Sequence, residues 1–163
     1  MKGLHALIPS PRSAKRFVNL YRFLRATLES GHRSELESAQ RADHKVVAVL
    51  LAVICGYPEE ADDLLEAIAE ADAKIGWRRF VEALGKGGNG SPLRAFAQTL
   101  CPKLAAAAGE SLADVPLATF QRWAPHVSRF SFNAAAAHGP ADEGASTPAR
   151  DQAPAARRPR ARA

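Results

Sequence analysis

Cysteine, aromatic residues and long apolar runs are all scarce in this chain. Two cysteines, Cys55 and Cys101, occur in 163 residues and share no CxxC spacing, which excludes a disulfide-stapled scaffold. No histidine stands at ligand spacing from either, so zinc is not expected and buried free thiols in a reducing compartment are. The longest apolar stretch, VVAVLLAVIC from Val46 to Cys55, is far shorter than the roughly 20 residues a membrane helix needs. It reads as a buried helix. The opening MKGLHALIPSP has neither the apolar core nor the cleavage site of a signal peptide, so a cytoplasmic protein is expected. The histidines, His5, His32, His44, His126 and His138, are scattered. No Ser/His/Asp or Cys/His arrangement emerges, and the expectation is a protein that is not an enzyme, with no catalytic residue and no metal site.

What is present is helical. Ser10 suits an N-cap and Pro11 the first turn after it, where its missing N–H costs nothing. Apolar residues then recur at helical spacing to Leu28, with Gly31 as a stop. The polar stretch SGHRSELESAQRAD reads as a connection and the start of a second helix, from about Ser38 to Ile54. Pro58 opens a third, whose acids Glu59, Glu60, Asp62 and Asp63 lie in the first turns and favour the helix dipole. GWRRFVEALGK is a short amphipathic helix and GKGGNGSP a loop. Another helix, capped by Ser91 and opened by Pro92, is expected to break or kink near Pro102. A last one starts at Pro116 and is interrupted near Pro125. Only VSRFSF has strand character. Trp77 and Trp123 fall at helical spacing among apolar residues, as core side chains do. The fold class is all-α: an irregular bundle of about five to six helices over residues 1–133. Residues 134–163 turn to Ala, Pro, Gly and Arg and lack the apolar content to offset ordering entropy, so a disordered tail is expected.

Charge is unevenly spread. From Met1 to Arg33 seven Lys/Arg stand against one acid; from Ser34 to Asp72 two bases stand against ten acids. On a wheel of about 100° per residue, Arg12, Lys15, Arg16, Asn19 and Arg22 share one arc of roughly 120° on the first helix. Leu20, Leu24, Phe17, Leu28, Tyr21, Ala14 and Val18 fill the other side, with Arg25 intruding. Packed cations repel one another. Either the face is solvated and partly neutralised by the acidic third helix, or it binds an anion. Phosphate is the anion that arginine's fork of donors fits best.

The stretch PRSAKRFVNLYRFLRA resembles the PR-x-x-KR-x-x-N-x-YR-x-x-R helix of KAP-type P-loop NTPases and their bacterial relatives, within the broader AAA+/STAND assemblage. Pro11, Arg12, Lys15, Arg16, Asn19, Tyr21 and Arg22 all fit. WAPHVSRFSF looks like the closing segment of large bacterial members, so the resemblance runs from residue 4 to about 133. It implies a helix that follows the nucleotide-binding α/β core and opens a small helical region. Its basic residues Arg12, Lys15, Arg16 and Arg22, together with the amide of Asn19, would act like a second sensor that reaches bound nucleotide. One departure is large: no GxxxxGK[ST] motif occurs. In GKGGNGS the lysine precedes the later glycines and no strand leads in, so it is a turn rather than a phosphate loop. No acidic pair follows an apolar strand to hold magnesium. The chain therefore reads as the C-terminal helical part of such an NTPase without its core, as a stand-alone piece or a fragment of a longer gene. ATP and Mg²⁺ would belong to a parent or partner NTPase.

Three functions follow as expectations. The first is a non-catalytic, second-sensor-like accessory region of a P-loop NTPase. The second is a basic helical protein that binds nucleic acid through phosphates. It is less favoured, because of the acidic middle and the lack of interleaved aromatic and basic residues for base stacking. The third is a protein-interaction adaptor using Phe23 and the acidic helix.

Overall fold

The computed structural model describes residues 3–38, 42–86 and 93–131, with backbone alone for 93–98. Among them are seven α-helices: α1 (Pro11–Thr27), α2 (Ser30–Glu37), α3 (Asp43–Gly56), α4 (Pro58–Glu70), α5 (Trp77–Gly85), α6 (Leu93–Ala113) and α7 (Leu117–Ser128). A single 3-10 turn, Leu4–Leu7, precedes them. The fold is all-α, and no helix among the described residues is long and apolar enough to cross a membrane.

Helix α3 explains the architecture. Every residue from Val46 to Cys55 is buried. A helix that is apolar all round must be covered on every side. The cover comes from α1, α2, α4, α6, α7 and the 3-10 turn, each packed against α3. Helices α5 and α6 pair with each other to one side. There Trp77 lies flat on Phe120, with ring centroids 4.0 Å apart and planes 5° from parallel. Trp77 and Trp123 are both core residues.

Loose ends are tied by specific bonds. The Trp77 amide donates to Val115 O (3.0 Å) and the Leu117 amide to Ile75 O (2.9 Å), joining the entries of α5 and α7. Gln121 Nε2 donates to Ile68 O (2.9 Å) and Ala71 O (2.8 Å). Those are carbonyls at the end of α4, where the helix leaves acceptors unpaired.

Four expectations differ in detail. The polar stretch before α3 contains a helix of its own, α2, and α3 starts at Asp43 rather than near Ser38. Leu36 supplies the reason, since it is a single apolar anchor that is almost fully buried. Helix α6 continues through Pro102 and departs from helical geometry at Gly109, with φ +52° and ψ −163°. Proline removes one hydrogen bond and kinks a helix, whereas a left-handed φ is a conformation glycine adopts at little cost. Helix α7 likewise runs through Pro125 to Ser128. Val127 and Ser128 of VSRFSF thus belong to a helix, and no strand occurs among the described residues. Ser91, Pro92, most of the glycine loop and the 134–163 tail lie outside the described residues.

Gly56 marks where chain meets chain. A Cβ there would stand 2.1 Å from Leu7 O and 3.0 Å from Pro9 Cδ. Gly31, in α2, has nothing within 4 Å of that position. Gly56→Ala is expected to lower stability by about 1–3 kcal/mol through overpacking. Gly31→Ala is expected to raise it by up to about 1 kcal/mol. Urea denaturation of the two variants checks the opposite signs.

Candidate functional site

Helix α1 carries the candidate site, and its start is built as the sequence implies. Ser10 Oγ accepts from the Ser13 amide at 3.1 Å, and Pro11 occupies the first turn. Leu24 and Leu28 are buried, and Phe17, Leu20 and Tyr21 pack partly buried against the core. This inner face fixes the outer one. Arg12, Lys15, Asn19 and Arg22 are exposed. Among the described residues none of these four makes an ion pair or a side-chain hydrogen bond.

Arg16 is placed differently. It is half-buried at the edge of the arc and donates through Nη2 to Phe130 O at 3.2 Å. The PRSAKRFVNLYRFLRA helix and the WAPHVSRFSF stretch therefore meet in space. Phe23 meets Phe130 as well, edge to face, with centroids 5.9 Å apart and planes at 81°. Arg16 also bears on Cys55. Burial pushes that thiol up to about 11, and the nearby guanidinium offsets part of the rise. Burial raises Cys101 too, so neither sulfur is activated as a nucleophile.

The C-terminal end of α1 is held by charge. Arg25 pairs with Glu37 at 2.8 Å. Arg33 donates from Nε to Arg25 O and from Nη2 to Ala26 O, both at 3.1 Å. A cation on those carbonyls suits the negative end of the helix dipole. Helix α4 does not neutralise the basic arc: no ion pair joins α4 to α1 among the described residues. Its Asp62 instead accepts from Ser131 Oγ at 2.5 Å.

A second polar cluster lies under α2, at the first turn of α3. Asp43 is 2% exposed. It accepts from Trp123 Nε1 at 2.5 Å and from Arg122 Nη2. Arg122 also reaches Glu35, 3.6 Å away. The His32 and His126 rings lie 4.9 Å apart beside Trp123. Burial lowers the His126 pKa, and the charges of His32 and Arg129 lower it further, against an opposing pull from Glu29. The sequence puts His32 nearest to His44; the fold pairs it with His126 across α2 and α7. No group of three metal-ligating side chains forms among the described residues. The cluster ties α2, α3 and α7 together.

Asp43 escapes sequence reading, which names Phe23 only as a contact residue for a protein partner and does not place it with the cations. Phe23, 56% exposed, stands among the cations. Its wheel angle, about 20° from Arg12, was available as a signal. Asp43 gave no signal beyond an acid preceding an apolar run. A scan against protein-family models, a search of curated proteins and a search of solved structures each return no match.

Asp43→Ala leaves the buried Trp123 N–H without its acceptor, while the half-exposed Arg122 keeps Glu35, and is expected to cost about 1–3 kcal/mol, read by urea denaturation. Acidification has a second expected effect. The fold holds His126 neutral more strongly than the unfolded chain does, so its stabilising effect is complete above the ordinary imidazole range. It is lost as pH falls through that range toward the lowered folded value. His126→Gln is expected to flatten the fall in melting temperature between about pH 7 and 5.

Proposed function

We propose that the chain is a non-catalytic helical accessory region of a cytoplasmic P-loop NTPase, supplying cations to nucleotide that another part of the assembly holds. The observation that carries this reading is the arc of Arg12, Lys15, Asn19 and Arg22, unpaired among the described residues, on the outer face of a helix backed by the core. The resemblance of that helix to the second-sensor helix of KAP-type NTPases agrees with it. The absence of GxxxxGK[ST] assigns the phosphate-cradling loop to a parent or partner core.

Arg12, in the first turn, is the residue best suited to a γ-phosphate, with Lys15 one turn on. In phosphoryl transfer, charge spreads over the equatorial oxygens, and a preplaced cation lowers the barrier without moving. Asn19 and Arg22 extend the donor row. Arg16 has a carbonyl partner at Phe130, so its role is to brace α1 against the end of α7. The same helix abuts α3, which gives nucleotide state a rigid path into the bundle.

The test uses the P-loop core that co-purifies with the full chain. Arg12→Ala is expected to lower ATP turnover by about 100-fold or more. Arg16→Ala should act mainly on melting temperature. Turnover unchanged in Arg12→Ala, or failure of any P-loop protein to co-purify, contradicts the reading.

A further inference from the structure

The outer face of α1 carries more than cations. Phe23 is 56% exposed and, among the described residues, is one of two large apolar side chains so placed, the other being Val18 at 43%. A single exposed apolar side chain is ordinary on a protein surface; what distinguishes Phe23 is its setting among cations. On the helix wheel Phe23 falls between Arg12 and Arg16, about 20° from each, with Asn19 one turn before it. Its ring is backed edge-on by Phe130, and Phe130 is held in turn. Arg16 bonds its carbonyl, and the Arg129 guanidinium lies 6.0 Å from its ring centroid. The ring is therefore fixed from behind and open in front.

We propose that this face binds single-stranded nucleic acid, with Phe23 stacking an unpaired base and Arg12, Lys15, Asn19 and Arg22 holding the flanking phosphates. Single strands are bound by a charged track set with aromatic platforms, because every base has a π-face to stack. From Arg12 to Phe23 the helix rises about 16 Å, the length of roughly five nucleotides at a stacked spacing of about 3.4 Å. Both features that weigh against nucleic acid in the sequence have a structural answer. The α4 acids make no ion pair with α1 among the described residues, and the missing aromatic is Phe23. A membrane surface fits less well. Val18 and Phe23 are about 140° apart on the helix wheel with cations between them, whereas insertion needs one apolar stripe with cations at its edges. A duplex offers no unstacked base.

Fluorescence anisotropy of a labelled oligothymidylate with the full chain reads this directly, without any NTPase core, so it stands or falls separately from the nucleotide reading. With three cations engaged, log K should fall against log salt with a slope of about −2 or steeper, and Arg22→Ala should reduce that slope by about 0.7. Phe23→Ala should weaken binding about tenfold without changing the slope. Phe23→Trp should restore affinity and Phe23→Leu should not, which separates stacking from mere bulk. Circular dichroism should show all three variants folded, since the ring is exposed. Equal affinity of wild type and Phe23→Leu overturns the proposal. So does binding of the same-length duplex as tight as the single strand, or binding of phosphatidylserine vesicles with none of the oligonucleotide.

Discussion

The run from Val46 to Cys55 has to be kept from water around the whole circumference of α3, and the rest of the chain is arranged to do so. Each covering helix gives its apolar stripe to that task. Burying a single leucine or valine side chain is worth roughly 1.5–3 kcal/mol, so this one helix gathers much of the available driving force. The only charge it takes inside is Asp43, at the helix end where the dipole favours an acid. The carboxylate is answered there by Arg122 and Trp123, which locks α7 to the start of α3.

This constraint also produces the candidate site. Because α1 must present Leu24 and Leu28 to the core, its remaining face can only point outward. The cations there are thus displayed by the packing and not by any partner within the described residues. The −8 segment from Ser34 to Asp72 does not cancel them, since its α4 acids serve α4's own dipole and, in Asp62, the Ser131 hydroxyl. Arg25 meets the acidic middle at Glu37, whereas Arg12, Lys15 and Arg22 make no ion pair with it among the described residues. That separation is what an anion-binding face needs in order to keep its potential.

Much of the fold was legible in residues. Ser10 with Pro11, Pro58 with its acids, and the apolar run of α3 each announced an element through local chemistry. Helix α2 was not legible because its eight residues carry one buried leucine, too few for a period to show. The departure from helical geometry at Gly109 is not legible because Pro102 is the stronger local signal, and a helix can run on past a proline with one bond lost. Of the site, the arc itself was legible as a 3.6-residue pattern. The division within it was not: Arg16 turns to Phe130 across 114 residues of sequence, a contact no local pattern encodes. Phe23 was legible in principle, by the same wheel that placed the cations.

The claim at the centre of this account is that the outer face of α1, rather than basic residues in general, receives phosphate. The most direct measurement is nuclear magnetic resonance of the ¹⁵N-labelled full chain titrated with inorganic tripolyphosphate, following arginine side-chain and backbone N–H signals. The account predicts that Arg12, Lys15, Asn19 and Arg22 shift together, while Arg78, Arg79 and the α4 amides stay in place. Shifts spread evenly over all surface arginines, or centred on α5, would contradict it.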